Sequence, residues 1–355
     1  MHFDDGQIPV EYAKHIRRKS LFILAGLFLT AAVLITSIGM GPVSISAPEV
    51  LTTLFGNSIS KRFDLIIWNI RLPQALTALA AGAGLSVSGA VMQAILRNPL
   101  GSPFTLGISH AAAFGAAVSV MILDFGTMAS SNVGAVTINS PYLTTAVAFS
   151  FSLIATFAII GISRLRRATP EVMVLSGVAL GALFTAGTMF LQYFADDVQL
   201  AAMVFWTFGD VARATWTELG IISAVSLIAY IWFTLNRWNF NAIEAGDETA
   251  KGLGVKVERV RLTGMLLASL VTSVIVSFLG IIGFVGLVCP HMVRRMIGDD
   301  YRFLLPGSCL LGAVLLLTAD TAARLMLAPN VLPVSVLTAF LGAPIFIWLI
   351  IRGNK

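Results

Sequence analysis

The sequence predicts an all-α membrane protein with ten transmembrane helices in a single domain, residues 1–355. The chain is 57% hydrophobic and 12% charged, against roughly 25% charged residues in soluble domains. Apolar segments of about 20 residues, the length that crosses a bilayer, recur along the whole chain. Lys and Arg fall mainly in alternate loops, which is typical of a polytopic membrane protein.

Nine apolar stretches supply the ten predicted spans. The seventh is too long for one ordinary helix. Gly280, Gly283 and Gly286 interrupt it, so we divide it into two short spans near Gly280. The stretches are Leu21–Gly41, Leu72–Leu96, Phe104–Leu123, Tyr142–Ile162, Val172–Phe194, Leu219–Leu235, Leu262–Met296, Phe303–Ala319 and Leu332–Ile351.

The positions of Lys and Arg test the division at Gly280. With ten spans and a cytoplasmic N-terminus, 18 of the 23 Lys and Arg residues lie inside and 5 lie outside, whereas nine spans give 14 and 9. Because cytoplasmic loops carry the excess of positive charge, ten spans with both termini cytoplasmic are favoured. The net charge of +5 thus reflects membrane orientation and does not indicate nucleic-acid binding.

Residues Asn236–Arg261 form a charged, helix-prone island between the sixth and seventh spans. They must lie outside the bilayer, because charged side chains are costly in hydrocarbon. Acidic, small and glycine positions follow one another there as a docking segment for a partner protein would require. The chain has no phosphate-binding loop of the form G-x-x-x-x-G-K-[ST]. These two features predict a transport pore whose ATPase is a separate subunit.

Charged residues near the outer ends of two spans allow two interpretations. Arg71-Leu72-Pro73 opens the second span, where Arg71 is either an interfacial anchor or a cationic docking point. Asp320 and Arg324 are one helical turn apart and form either an interfacial ion pair or a functional charged site. From the residues alone, the structural interpretation is favoured for both.

Other candidate positions are less specific. The turn at Thr169–Pro170 is either an inner gate or an ordinary basic loop, and Met92 and Gln93 face either a pathway or the core. His110 is more typical of a polar helix end than of a haem or metal ligand. No cluster has metal-ligand spacing and no nucleophile–base set is evident, so no catalytic residue, cofactor site or metal site is predicted.

Several motifs occur in a fixed order along nearly the whole chain. They are Arg71-Leu72-Pro73, Gly89-Ala90-Val91-Met92-Gln93, Arg97-Asn98-Pro99-Leu100, GFVGLVCPH at 283–291, Leu305-Pro306-Gly307, ADTAAR at 319–324 and LGAPIF at 341–346. Together they resemble the FecCD type of permease subunit, a family that serves ABC importers of iron–siderophore complexes, haem and cobalamin.

The resemblance implies a fold and a set of partners. Spans two to five would be related to spans seven to ten by an inverted repeat. Two permease subunits would surround a central path. We expect them to be two copies of this chain; the alternative is that the second subunit is a related chain. Two cytoplasmic ATPases would bind ATP and Mg, and an extracytoplasmic binding protein would deliver a metal chelate. The location would be the bacterial cytoplasmic (inner) membrane, and transport would proceed by alternating access.

The resemblance also implies residue roles. The turn at Thr169–Pro170 matches the inner gate of the family. Arg71 and Arg324 match outer arginines that pair with glutamates of the binding protein, which reverses the preference above. The segment Glu244–Val255 matches the family's ATPase-coupling elbow, within which the candidate residues are Glu244, Asp247, Ala250, Gly252, Leu253 and Gly254.

Three positions depart from the family pattern. Gln74 replaces a second arginine, and Val331 and Ser335 replace the glutamate and glycine of the family's Glu-Leu-Pro-x-Gly. His110 is uncommon in the family and faintly favours a haem-like substrate. The alternatives are a cobalamin importer and an ion-driven secondary transporter. The second is disfavoured because spans two to eight lack an obvious mid-membrane carboxylate.

Overall fold

The computed structural model describes residues 10–57, 60–123, 141–166, 168–327 and 331–352. These residues form fifteen α-helices, a π-helical turn at Ile67–Arg71 and a 3₁₀ turn at Val211–Arg213. The helices are α1 (Val10–Gly39), α2 (Ala47–Leu54), α3 (Lys61–Ile66), α4 (Leu72–Leu96), α5 (Ile108–Met121), α6 (Pro141–Leu165), α7 (Pro170–Phe194), α8 (Asp197–Thr207), α9 (Trp216–Leu235), α10 (Arg237–Glu244), α11 (Asp247–Gly252), α12 (Val257–Leu279), α13 (Val285–Ile297), α14 (Tyr301–Met326) and α15 (Val334–Arg352).

Ten helices correspond to the ten predicted spans. Within the described ranges, seven segments are long and apolar enough to cross a membrane. One of them, Lys61–Leu96, combines α3 and α4, and the other six are α1, α6, α7, α9, α12 and α14. The shorter α5, α13 and α15 occupy the other three positions. The predicted division of the seventh stretch is confirmed: α12 ends at Leu279, and Gly280 follows with φ +79°, a conformation that glycine adopts at no steric cost.

The helices run alternately between two ends of the molecule. We call the end that carries α10 and α11 the inner end. There the last turn of α4, at Ile95, meets the start of α12, at Arg261. The opposite, outer end holds the contact of Arg71 with the last residues of α1. It also holds the contact of Gly209 with Ser335 at the start of α15. The first residues of α1 and the last residues of α15 therefore lie at the inner end.

The short helices α5 and α13 point in opposite directions. Ser119, near the end of α5, contacts the start of α6 at the outer end. Arg294, near the end of α13, pairs with Glu244 at the inner end. Each helix follows a residue with positive φ, Gly107 at +76° and Phe284 at +67°. This arrangement fits the inverted repeat of spans two to five and seven to ten.

Helix α4 lies at the centre of the molecule, and 21 of its 25 residues are buried. Its glycines permit close contact with two other helices. An added Cβ at Gly89 would lie 1.7 Å from Gly286 O of α13, and one at Gly82 would lie 2.3 Å from Gly312 O of α14. Small residues let transmembrane helices associate through close backbone packing. These crossings hold α4 in register with the second half of the chain.

Candidate functional site

The predicted coupling segment is a helical projection at the inner end, formed by α10 and α11. Ala250 is fully buried and fastens α11 to the core, whereas Leu253 is 71% exposed. An added Cβ at Gly252 or Gly254 would meet nothing within 4 Å. The segment thus presents one exposed leucine between two glycines that have free space around them. Such a surface suits the close approach of another protein.

Arg261, near the start of α12, joins the coupling segment to two other parts of the inner end. Its side chain is 3% exposed. Its Nε donates to Ile95 O of α4 at 2.7 Å, and one terminal nitrogen donates to Ala168 O at 3.1 Å. The other terminal nitrogen donates to both carboxylate oxygens of Asp247, at 2.9 and 3.1 Å. The sequence analysis identified Asp247 but not Arg261.

A second set of contacts fastens α10 to α13 and α14. Glu244 pairs with Arg294, which also donates to Asp299 at 2.9 Å and to the Tyr301 hydroxyl at 3.1 Å. Asn241 accepts a 2.9 Å bond from the Tyr301 backbone N–H. Burial raises the pKa of the Glu244 carboxyl, and the Arg294 guanidinium opposes that rise. The coupling segment is therefore held on two sides.

The predicted inner gate is the turn between α6 and α7. Pro170 occupies the first turn of α7, and the Thr169 hydroxyl accepts a 3.5 Å bond from Val172 N. Ala168 precedes them with φ +46°, an unfavourable conformation for a residue with a Cβ. The Ala168 carbonyl accepts from Arg261, so this turn is tied to the same side chain as the coupling segment.

Arg71 lies inside the outer end and is only 5% exposed. The π-helical turn before α4 directs its guanidinium to the end of α1 and the loop that follows. It donates to Ile38 O at 2.8 Å and Gly39 O at 3.0 Å in α1, and to Val43 O in the loop. Carbonyls at the end of a helix lack intrahelical partners, so Arg71 stabilises the end of α1. A docking role for Arg71 stays a prediction and would require release of these bonds.

Arg324 belongs to a polar network beside Arg71. Its Nε donates to Asp320 Oδ2 at 3.1 Å, and a terminal nitrogen donates to Ser37 Oγ at 3.0 Å. Gln74 Nε2 donates to Asp320 Oδ1 at 2.9 Å. The Arg324 side chain is 11% exposed. The predicted ion pair is present, and the docking role stays a prediction.

The other two departures from the family pattern, Val331 and Ser335, lie near the start of α15. Ser335 Oγ accepts a 3.2 Å bond from Gly209 N, so the serine links α15 to the loop after α8, which a glycine could not do. Val331 is 50% exposed.

Lys61 and Arg62 of α3 are exposed at the outer end. The sequence analysis counted them only as outer charges.

Met92, Gln93 and His110, the three candidate pathway residues, are buried or partly buried in the molecule. Met92 is fully buried, and Gln93 Nε2 donates to Leu287 O of α13 at 3.2 Å. The partly buried His110 ring is 5.6 Å from Phe104, and among the described residues its Nδ1 has no hydrogen-bond partner. A nearby cavity of about 190 Å³ separates α5 from α13. Pathway roles for all three remain predictions.

This geometry can be compared with known proteins. The sequence pattern of the FecCD transport family matches residues 29–352. A provisionally named ABC transporter permease of Methanocaldococcus jannaschii is 53% identical over 98% of this chain and 99% of its own length. The Yersinia pestis hemin transport system permease is 38% identical over 93% of this chain and 95% of its own length. The Vibrio cholerae vitamin B12 import permease is 36% identical over 95% of each chain.

A solved structure agrees with these relatives. It is an inward-facing conformation of a transporter provisionally assigned to the metal-chelate type of ABC transporter. It aligns with a TM-score of 0.81 and 30% identity over 93% of this chain and 98% of its own. The matches cover the coupling segment, the inner turn and both ends of the bundle. The chain belongs to the FecCD transport family and is the permease of an ABC importer.

Proposed function

We propose that two copies of this chain form the pore of an importer that moves a metal chelate into the cytoplasm by alternating access. The inner end is cytoplasmic in this proposal, because 18 of the 23 Lys and Arg residues fall on that side. The chain would lie in the cytoplasmic membrane in this proposal.

ATP hydrolysis takes place on partner subunits in this proposal. The chain has no phosphate-binding loop, so two cytoplasmic ATPases would bind ATP and Mg. They would dock on the coupling segment Glu244–Val255. Closure of the ATPases around ATP would move this segment, and the turn at Thr169–Pro170 would open or close the path.

The observation that carries this proposal is the surface formed by Gly252, Leu253 and Gly254. Leu253 is 71% exposed, and a side chain at Gly252 or Gly254 would meet nothing within 4 Å, so this surface is open to a partner protein. The contacts of Asp247 and Glu244 hold this surface firmly against α12 and α13. A firmly held surface can transmit a displacement, whereas a loosely attached one would absorb it.

The substrate would arrive on an extracytoplasmic binding protein that docks on the outer end. Arg324 is the proposed docking cation, with Arg71 as a second contact after release of its carbonyl partners. The exposed Lys61 and Arg62 add positive charge to the same end. Opposite charge on the binding protein would raise the association rate.

We propose an iron chelate, haem or a ferric siderophore, as the substrate, with cobalamin as the alternative. The hemin permease of Yersinia pestis supports haem, and the vitamin B12 permease of Vibrio cholerae supports the alternative at nearly equal identity. The binding protein would therefore make the main selection, and the pore would provide a wide, weakly interacting path.

The test is to purify the chain gently from its native membrane and identify its partners. An ATPase in equal amount, and uptake into vesicles that requires ATP, would support the proposal. Haem, a ferric siderophore and cobalamin would each be titrated against the accompanying binding protein. Recovery of the chain alone, with uptake that follows a proton gradient and ignores ATP, would contradict it.

A further inference from the structure

We propose that Arg261 is a positioning residue that makes the inner turn follow the coupling segment. The inference rests on the proposed function, since it assumes that an ATPase moves the segment. Its basis is the set of three contacts that one buried guanidinium makes to three separate elements, at Ile95, Ala168 and Asp247. These positions are far apart in the sequence, and Arg261 brings them to one point.

The contact with Ile95 fixes Arg261 on α4. The carbonyls of the last turn of a helix have no intrahelical partner. At the end of α4, Arg97 N and Asn98 N bond to Ala94 O and Gln93 O, and Arg261 Nε donates to Ile95 O. A positive charge also interacts favourably with the carboxyl end of a helix dipole. Arg261 is therefore anchored to the most buried helix of the molecule.

The contact with Ala168 reaches the turn before α7. Ala168 is fully buried and has φ +46°, a conformation that is unfavourable for any residue with a Cβ. Its carbonyl accepts from Arg261, and its N–H donates to Ser163 O at 2.7 Å. These bonds hold the turn in one arrangement. Loss of the Arg261 bond would let Ala168 relax to a more favourable conformation and shift Thr169.

The contact with Asp247 brings in the coupling segment. Asp247 is the first residue of α11, and both of its oxygens accept from one nitrogen of Arg261. A displacement of α11 that broke this pair would leave a buried guanidinium without its counter-charge, which is strongly unfavourable. The pair and its other contacts are therefore expected to move together. One side chain, Arg261, thus contacts both the segment, at Asp247, and the turn, at Ala168.

The second anchor of the segment does not reach the turn. Arg294 connects Glu244 to Asp299 and Tyr301, which belong to the region between α13 and α14. The two anchors therefore connect the segment to different halves of the bundle. Only the Arg261 anchor, among the contacts of the described residues, includes a carbonyl of the α6–α7 turn.

The experiment measures movement of the turn directly in the complete complex. Glu171, exposed in the first turn of α7, is replaced by cysteine, and its labelling rate with a water-soluble maleimide is measured with and without ATP. The same complex without the new cysteine corrects for Cys289 and Cys309. ATP hydrolysis and uptake are measured in parallel.

Two substitutions weaken the link in different ways. Asp247→Asn removes the counter-charge and preserves the bonds of Arg261 to Ile95 and Ala168. Arg261→Lys keeps the charge but loses the planar fork that reaches three acceptors. In each variant we expect the ATP-dependent change in labelling, measured per ATP hydrolysed, to fall about tenfold, the effect of losing a charge-assisted hydrogen bond. The ATP-dependent change in labelling should fall no further in the double variant than in either single variant, because both substitutions remove the same connection between Asp247 and Arg261.

Arg259→Lys is the matched control, because this exposed arginine lies on the same helix and its replacement leaves the link intact. Co-purification of the ATPase shows that each variant assembles. Labelling that still follows ATP in Asp247→Asn and Arg261→Lys as in the parent would overturn the inference. The inference would also be overturned if the complex with only the Glu171→Cys substitution, the parent, transported actively while its labelling rate did not change with ATP. A parent that carries no ATPase would overturn the proposed function instead.

Discussion

The Gln74 side-chain amide donates a 2.9 Å hydrogen bond to Asp320 Oδ1, and Asp320 Oδ2 accepts from Arg324 at 3.1 Å. Gln74 is 5% exposed and Asp320 is 3% exposed. The family pattern has an arginine at position 74, so in this chain a neutral donor takes its place. Asp320 therefore balances the charge of Arg324 without a competing cation at position 74, while Arg71 is held by carbonyl groups.

The first prediction follows from the burial of this network. Asp320→Asn would leave Arg324 without its counter-charge, and we expect a loss of about 3 kcal/mol of stability because breaking a buried ion pair leaves an uncompensated charge. Thermal unfolding in detergent measures the effect. Asp197→Asn, at an exposed position of α8, is the matched control and should change little. Equal melting temperatures for the two variants would contradict a stabilising role for Asp320.

The second prediction concerns docking at the outer end. Arg324→Glu should weaken the affinity of the binding protein about tenfold, more at low salt than at high salt, because dissolved ions weaken the attraction between opposite charges on two associating proteins. Titration of the labelled binding protein at several salt concentrations measures this. Arg324→Gln, which removes the charge without reversing it, should give a smaller loss. An unchanged affinity and salt dependence would leave Arg324 as a structural partner of Asp320.

The third prediction concerns the crossing of α4 and α13. In Gly89→Ala the new Cβ would overlap Gly286 O at 1.7 Å, so the two helices would have to separate. We expect a loss of about 3 kcal/mol or failure to accumulate in the membrane. Gly161→Ala is the matched control, since its Cβ would meet nothing within 4 Å and alanine favours helix by about 1 kcal/mol. Similar stability of the two variants would contradict the close crossing.

The transmembrane helices could be predicted because their signals are local. Helix α4 has the predicted bounds Leu72–Leu96, and Gly280 ends α12 where the long apolar stretch was divided. Hydrophobic length and a glycine with positive φ are properties of consecutive residues, so a sequence displays them directly. The short helices α2 and α8 were missed, because eight and eleven residues outside the spans carry no such length signal.

The contacts of the candidate sites were harder to predict. The resemblance to the family identified Asp247 and the turn at Thr169–Pro170, but Arg261 looked like one more positive charge on the inner side. Its role depends on the packing of α4, α11 and α12 against one another, which no local pattern encodes. Arg71 shows the same limit, since an arginine before Leu-Pro is consistent with both an exposed and a buried guanidinium.

The last prediction tests the coupling surface itself. Gly252 ends α11, and a side chain there would meet nothing within 4 Å of the same chain. Gly252→Asp should therefore leave the melting temperature of the isolated subunit nearly unchanged, apart from a few tenths of a kcal/mol for an acid at a helix C-terminus. In the complex, the carboxylate would occupy the space that the ATPase needs, so ATP-driven uptake should be lost.

The comparison with Gly252→Ala separates space from charge. Alanine improves helix propensity and adds only one methyl group, so it should reduce uptake less than aspartate does. Co-purification of the ATPase with each variant shows whether docking or a later step has failed. If Gly252→Asp transports normally with the ATPase bound, the coupling surface lies elsewhere on the inner end, and the exposed Leu253 needs another explanation.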